Sequence, residues 1–431
     1  MMLPRTLLLL MHRLRYAVFF ALAVCLVSGC SDDAPEQPQP ADVAAVPVIT
    51  IETEGQKEIT SDTEYQKATI NISGAENQPN VRLSGRIRGR GNATWLSYPK
   101  KPYKIKLSTE YNVLGFPANR DWVLLAEYTD KSLLRTTYMC EVGKALGMDY
   151  VVNCQHVELT LNGEYLGAYL LTDQVERGWQ RVNVPKGGFI IEKDTYYFME
   201  PLYFTTRDFS LNFTFKHPDA SDGDIVKGDA NYVFITDFMR VLEEELLRIP
   251  ADCESYKKHA DITSFARWYI LEEVLGNWDP NMYYVLPSRE GKLTNVPCWD
   301  SEWSLGLAQG GNLTNATGWY EPPYKPQSDM EIWSQWAYLQ CMFKDPAFVA
   351  EVKEQWRLFY PKIPSVVKAV EQRKKQVALI QAKNFDVWPV LDKYVGAGLI
   401  ALGSWEAECN YAMNFFFKRV AWMDAKWRSE E

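Results

Sequence analysis

"HVELTLNGEYLGAYLLTD", residues His156–Asp173, alternates apolar and polar side chains up to Asn162-Gly163 and turns more apolar beyond it. Period-two alternation leading into an Asn-Gly pair predicts two antiparallel strands joined by a type I′ turn, whose central residues both need positive φ. This hairpin commits its neighbourhood to β structure. Working towards the N-terminus, "VITIET" (48–53), "KATINI" (67–72) and "VRLSGRIR" (81–88) show the same alternation. "KPYKIKL" (101–107) places Tyr103, Ile105 and Leu107 on one face and Lys104 and Lys106 on the other. "WVLLAE" (122–127) and, beyond the hairpin, "GGFIIEK" (187–193) read as further strands. A helix over Lys131–Leu146 interrupts this series.

Towards the C-terminus the period changes. "ANYVFITDFMRVLEEELLR" and "ITSFARWYILEEVLGN" carry apolar residues three and four apart, and Asp229 and Asp261 stand where N-caps belong. Between Asn277 and Gly306 the pattern breaks into short strands and loops. Long helices are predicted at Asp329–Phe343, Ala347–Phe359, Pro364–Asn384 and Ser404–Trp427. The fold class is therefore α+β, with a β-rich part over about 48–215 and a mainly helical part over about 225–431.

Composition limits the function. A net charge of -9 disfavours nucleic acid as a partner, because phosphate contacts need a basic face. Three histidines follow the leader (His156, His217, His259) and they are scattered, which argues against a His-based metal centre or a Ser-His-Asp triad. None of the cysteines forms a C-x-x-C pair, so a zinc ribbon is not expected. The chain holds 15 tryptophans, which serve packing or, on a sharper reading, a carbohydrate-stacking surface.

The N-terminus carries an address. Arg13 and Arg15 precede an apolar run from Tyr16 to Leu26, the layout of a secretory signal over 1–29. "LVSGC" (26–30) resembles the bacterial lipobox, which implies a lipid on Cys30 and anchorage to a membrane of the cell envelope. Acidic residues directly after Cys30 resemble export signals for the outer membrane and cell surface. The Pro- and Ala-rich stretch over 30–47 is expected to be a disordered tether, and 48–431 the folded domain.

Three groups carry chemistry. Three arginines and two glycines fall within Arg86–Gly91, and Arg88-Gly89-Arg90-Gly91 offers backbone N–H groups in a chain that turns tightly. With Lys104 and Lys106 it suits a polyphosphate, or else forms a solvated basic face. Beyond the helix that ends near Gly276, Asn277, Asp279 and Asn281 stand at alternate positions. "VPCWDSEWSLG" then delivers Asp300 and Glu302 on one side of a short run. Oxygen ligands of this kind suit Mg²⁺ or Mn²⁺, and Asp279 and Asp300 bracket a segment of hairpin length. Each acid alone equally fits a cap or a turn.

Six stretches together are more specific. "GRIRGRGNATW…YPKKPYKIKL", "LLAEYTDKSLLR", "VELTLNGEYLGAYLLTDQVE", "GGFIIEK", "EEVLGNWD" and "PCWDSEWSLG" occur in the order found in the CotH-like atypical protein kinases, which this chain resembles over roughly Ile49 to Gly306. The resemblance implies a highly diverged protein-kinase-like fold, ATP with a divalent metal, and phosphoryl transfer to Ser or Thr hydroxyls of a protein. It further implies a phosphate cradle of Arg88, Arg90, Lys101, Lys104 and Lys106, and a lysine clamp at Asp173. Asp279 matches the catalytic Asp and Asp300 the metal-binding Asp, with Glu302 and Asn281 as further metal ligands. Glu302 and Asp173 each depart by one methylene from the family's usual acid. An extracytoplasmic address, where ATP is scarce, leaves a second reading: a surface scaffold that binds glycan or protein through the "GWYEPPYKPQ" loop. A glycoside hydrolase using Asp279 and Asp300 is a weaker third.

Overall fold

Asn162 and Gly163 take φ of 50° and 84° in the computed structural model, as the type I′ turn requires. They join strands β6 (Cys154–Leu161) and β7 (Glu164–Asp173). The structure describes residues 44–429, apart from 77, 278, 297–298, 308–314 and 320–335.

Five strands precede the hairpin: β1 (Val48–Thr53), β2 (Gln66–Ser73), β3 (Val81–Gly89), β4 (Tyr103–Tyr111) and β5 (Asn119–Leu125). Each pairs antiparallel with the next, and β7 pairs with β5. β1 then pairs parallel with β6, Val48 opposite Glu158, and the seven strands close into a barrel in the order β1-β2-β3-β4-β5-β7-β6. Closure leaves no edge open to another chain. Ile51, Ile70, Ile87, Ile105, Trp122 and Leu159 fill the interior, so the inward half of the period-two pattern is accounted for. The tether joins this barrel earlier than expected. Val46 is buried and the Pro47 carbonyl accepts from the Glu158 amide at 2.9 Å. Cys30 and the predicted leader lie outside the described residues.

A second sheet has the order β12-β11-β8-β10-β9. Its strands are β8 (Phe189–Lys193), β9 (Tyr203–Thr205), β10 (Asn212–His217), β11 (Met282–Leu286) and β12 (Thr294–Asn295). The β-rich N-terminal half and helical C-terminal half are as expected, but this sheet crosses the division. β8 lies between β10 from the first half and β11 from the second, with Tyr283 opposite Glu192 and Met282 opposite Lys193.

Helix α1 is one short turn, Ala93–Ser97. α2 runs over Arg135–Leu146, starting later than predicted because the Asp130 carboxylate accepts the Leu134 and Arg135 amides at 3.0 and 2.8 Å. α3 (Ala230–Leu246) and α4 (Ile262–Leu275) begin at Asp229 and Asp261, whose side chains cap them. α5 spans Ala337–Met342, within the helix predicted over Asp329–Phe343, of which residues 329–335 lie outside the described residues. α6 spans Pro346–Phe359. The helix predicted over Pro364–Asn384 is two, α7 (Ile363–Ala378) and α8 (Gln381–Val387), because Ile380 leaves helical φ to bury its side chain. α9 covers Trp405–Ser429. Among the described residues no helix is long and apolar enough to cross a membrane.

Several tryptophans serve packing, though Trp179 is exposed. Trp319 lies 4.8 and 5.0 Å from Trp422 and Trp427, ring centre to ring centre. Of the loop "GWYEPPYKPQ", Tyr320 onward lies outside the described residues. The sulfurs of Cys140 and Cys154 lie 3.5 Å apart; Cys298 is not described.

Candidate functional site

α4 ends at Gly276, whose left-handed φ of 56° turns the chain out of the helix. Asn277, buried at that turn, donates from Nδ2 to the Asp300 carbonyl at 3.1 Å. Four residues on, Asn281 Nδ2 donates to Asp300 Oδ2 at 3.0 Å. The antiparallel pairing of β11 with β12 returns the chain to this point, so the bracketed segment is indeed a hairpin. Asp300 itself has a φ of 61°, an uncommon conformation for a non-glycine residue that Asp tolerates better than most.

Asp279 and Asp300 both reach solvent, yet protein crowds them from the sides. Burial, with Glu302 and Asp279 adding repulsion, pushes the Asp300 carboxyl up to about 7. Arg90 opposes that shift, and its guanidinium stands 5.7 Å over the Trp299 ring. Burial also raises Asp279, while the Lys193 ammonium at the end of β8 pulls it back. Burial lowers Lys193 in turn. Glu192, beside Lys193, is held by Lys216 at 2.8 Å. "GGFIIEK" thus brings Glu192 and Lys193 to the recess, a contribution missed in the sequence because the motif reads first as a buried strand.

Glu302 has a different place. Its Oε1 accepts from the Thr129 amide at 2.9 Å, the Asp130 amide at 3.2 Å and the Thr129 hydroxyl. One carboxylate oxygen therefore staples the Asp300 loop to the turn after β5. That turn belongs to "LLAEYTDKSLLR", most of whose polar side chains are buried. Asp130 pairs with Arg135, Arg135 Nε donates to the Ser304 carbonyl at 2.8 Å, and Lys131 lies 3.6 Å from Glu408. Glu127 and His156 meet at 3.1 Å. Burial pushes Glu127 well up and His156 down to about 3, both towards their uncharged forms. Lys100, also unnoticed in the sequence, is buried beside Glu127 and Glu302 and donates to Asn384 Oδ1 at 2.9 Å. Desolvation lowers it to about 7.

The cradle cations divide. Lys104 and Lys106 share Asp121, at 3.6 and 3.8 Å. Asp173 instead accepts from Asn153 Nδ2 at 2.6 Å and Tyr150 at 3.2 Å, and lies 3.6 Å from Arg181. The lysines thus have a different acid from the one the resemblance implied. Lys101 donates to the Trp95 carbonyl at 2.5 Å. Arg88 donates to the Gly89 carbonyl at 3.0 Å and to that of Asp62. Of these five, Arg90 is the cation that stands among the main influences on Asp300.

The glycines of the cradle are explained locally. A Cβ on Gly89 would lie 2.5 Å from the Trp95 ring, and Gly91 has φ of 86°. Gly89→Ala should therefore cost about 1–3 kcal/mol through overpacking against Trp95. Chemical denaturation measures this, and a loss below about 0.5 kcal/mol would show that Trp95 gives way freely.

Among the described residues no three His, Cys, Asp or Glu side chains cluster closely enough to cage a metal. The recess does concentrate carboxylate charge on Asp300, since Glu302 and Asp279 both act against it and Arg90 opposes them, while Lys193 faces Asp279. One carboxylate with a neighbouring amide fits Mg²⁺, which binds through one or two carboxylates and fills its remaining positions with water and phosphate oxygens.

No curated protein matches the chain. Residues 86–423 match the family model described as CotH kinase protein, a span that runs from the Arg86–Gly91 stretch at the end of β3 through both hairpin acids and into α9. With most of its length matched, including Arg90, Asp279 and Asp300, the chain belongs to the CotH kinase family.

Proposed function

We propose that this chain is an exported, lipid-anchored protein kinase of the CotH type, transferring the γ-phosphoryl group of ATP to Ser or Thr hydroxyls of an acceptor protein. The observation that carries the reading is the convergence of Asp279 and Asp300 beside Arg90, from opposite ends of one hairpin. Phosphoryl transfer needs positioning and charge neutralisation more than covalent chemistry. Asp279 orients the acceptor hydroxyl and takes its proton, with the Lys193 charge favouring its ionised form against burial. Asp300, fixed by Asn281, would hold Mg²⁺ or Mn²⁺. The divalent ion, when bound, supplies neutralisation of the β- and γ-phosphates. Arg90, braced on Trp299, is the guanidinium best placed for the phosphates, with Arg88 and Lys104 behind it.

In this reading the barrel and the helical half are the two lobes of a diverged kinase-like fold. Cys30 carries the lipid, and the domain works in the cell envelope, at the outer membrane. A second reading, an inactive scaffold, draws on one observation: Glu302, expected as a metal ligand, commits an oxygen to Thr129 and Asp130.

Thermal melting with ATP and Mg²⁺ separates the two. At about 100 times its Kd a ligand specific for the folded state contributes about 2.7 kcal/mol. The kinase reading expects a clear rise in Tm that chelation of the metal abolishes. No shift at millimolar ATP with either Mg²⁺ or Mn²⁺ would leave the scaffold reading, and a shift with oligosaccharides would make it a glycan binder.

A further inference from the structure

The outward face of β2, β3 and β4 carries a recess of about 520 Å³ whose lining includes Lys67, Arg86, Lys106 and Arg120. Three of these cations form one rung of the barrel. Lys67 lies opposite Arg86, and Arg86 opposite Lys106. Directly opposed side chains have Cβ atoms about 4.5–5.5 Å apart, and like charges at that spacing are destabilising. Asp121 ends the rung, but it is shared with Lys104. Among the described residues no carboxylate comes within ion-pair distance of Lys67, Arg86 or Arg120. Glu52 and Glu54 also line the recess, beyond ion-pair distance of these cations, so a net-acidic protein keeps four cations against two acids there.

The side chains are also positioned. The Arg86 guanidinium stacks 4.6 Å from the Tyr65 ring centre. Arg120 Nε donates to the Leu107 carbonyl at 3.0 Å, which fixes where its fork points. Thr69 and Ser84, opposite each other in register, add hydroxyl donors at the same recess. Guanidinium forks beside hydroxyls match phosphate oxygens. Among the described residues no aromatic ring lines the recess to stack a purine. Lys106 belongs to this recess, whereas Arg90 belongs to the acidic one at Asp300.

We propose that the recess on the outer barrel face is a second anion site, separate from the Asp300 recess, which takes a compact phosphate or polyphosphate group without a nucleobase. A free polyphosphate and the phosphate headgroup of a lipid share that chemistry. The inference goes beyond the kinase reading and stands without it.

Calorimetry on the full chain in neutral detergent with chelator present tests the site, using inorganic tripolyphosphate in one arm and short-chain phosphatidic acid blended into the micelles in the other. Arg86→Ala with Arg120→Ala should weaken binding of the preferred probe at least tenfold while the chain stays folded. Arg86→Lys with Arg120→Lys, which keeps charge but loses the forks, should fall between. Asp300→Asn should bind the probe as wild type does. Loss in the tripolyphosphate arm alone assigns a free polyphosphate, and loss in the lipid arm assigns a headgroup. Equal binding by wild type and the double Ala variant in both arms, or no binding by wild type at millimolar probe, overturns the proposal. So does loss of Mg²⁺–ATP binding in the double Ala variant with retention in Asp300→Asn, since the recess would then be the nucleotide site.

Discussion

Asp279→Asn is expected to reduce phosphoryl transfer about 10²–10⁴-fold, the usual worth of a positioned general base, while leaving Mg²⁺–ATP binding nearly intact. Asp300→Asn is expected to reduce transfer as severely by another route, weakening nucleotide binding itself, because it removes the charged ligand from a divalent ion. The geometry supports the division. Asp300 is held at both its carbonyl and its carboxylate by Asn277 and Asn281, as a ligand on a fixed loop would be. Asp279 has the Lys193 ammonium as its charged neighbour, which favours the ionised form that accepts a proton. Single-turnover transfer combined with nucleotide titration reads both effects. Full activity in both variants would end the kinase mechanism. Equal loss of nucleotide affinity in both would assign the two acids to one metal.

Arg135→Ala should be the most damaging substitution for stability, by roughly 3–5 kcal/mol, because it leaves Asp130 as an unpaired buried charge. Both side chains are almost fully buried. Asp130 cannot simply be given up to water. It also accepts the first amides of α2 and the Ser132 hydroxyl at 2.6 Å. The damage should reach the site, because Arg135 holds the Ser304 carbonyl two residues beyond Glu302. Urea denaturation gives the stability loss, and Asp130→Asn should recover part of it in the double variant by removing the orphaned charge. A loss under about 1 kcal/mol would mean that water enters this region freely.

What the sequence disclosed depended on how local the signal was. The hairpin at Asn162-Gly163 was legible because a two-residue turn and its flanking alternation occupy adjacent positions. The caps at Asp229 and Asp261 were legible for the same reason. Barrel closure was hidden, since Val48 and Glu158 carry no mark of their pairing. The acids at 279 and 300 were legible as a pair because one short hairpin separates them. Which cation would face them was not. Arg88, Arg90, Lys104 and Lys106 look alike along the chain, and strand register alone sends Lys106 to the outer recess and leaves Arg90 beside Asp300. Glu302 shows the limit best: its amide partners at Thr129 and Asp130 come from a motif far away in sequence, so a residue read as a metal ligand also serves as a staple.

The strand β8 ties together what the chain's order would keep apart. Its neighbours, β10 and β11, flank it from the two halves of the sequence. Neither half can therefore unfold alone without stripping β8 of hydrogen bonds on one side. A break in the exposed segment around Ser221–Gly223 would cut the backbone yet leave this sheet intact, and the two fragments would remain a noncovalent pair. Cooperative melting of the whole domain, rather than sequential melting of a β part and a helical part, is the thermodynamic expression of that shared strand.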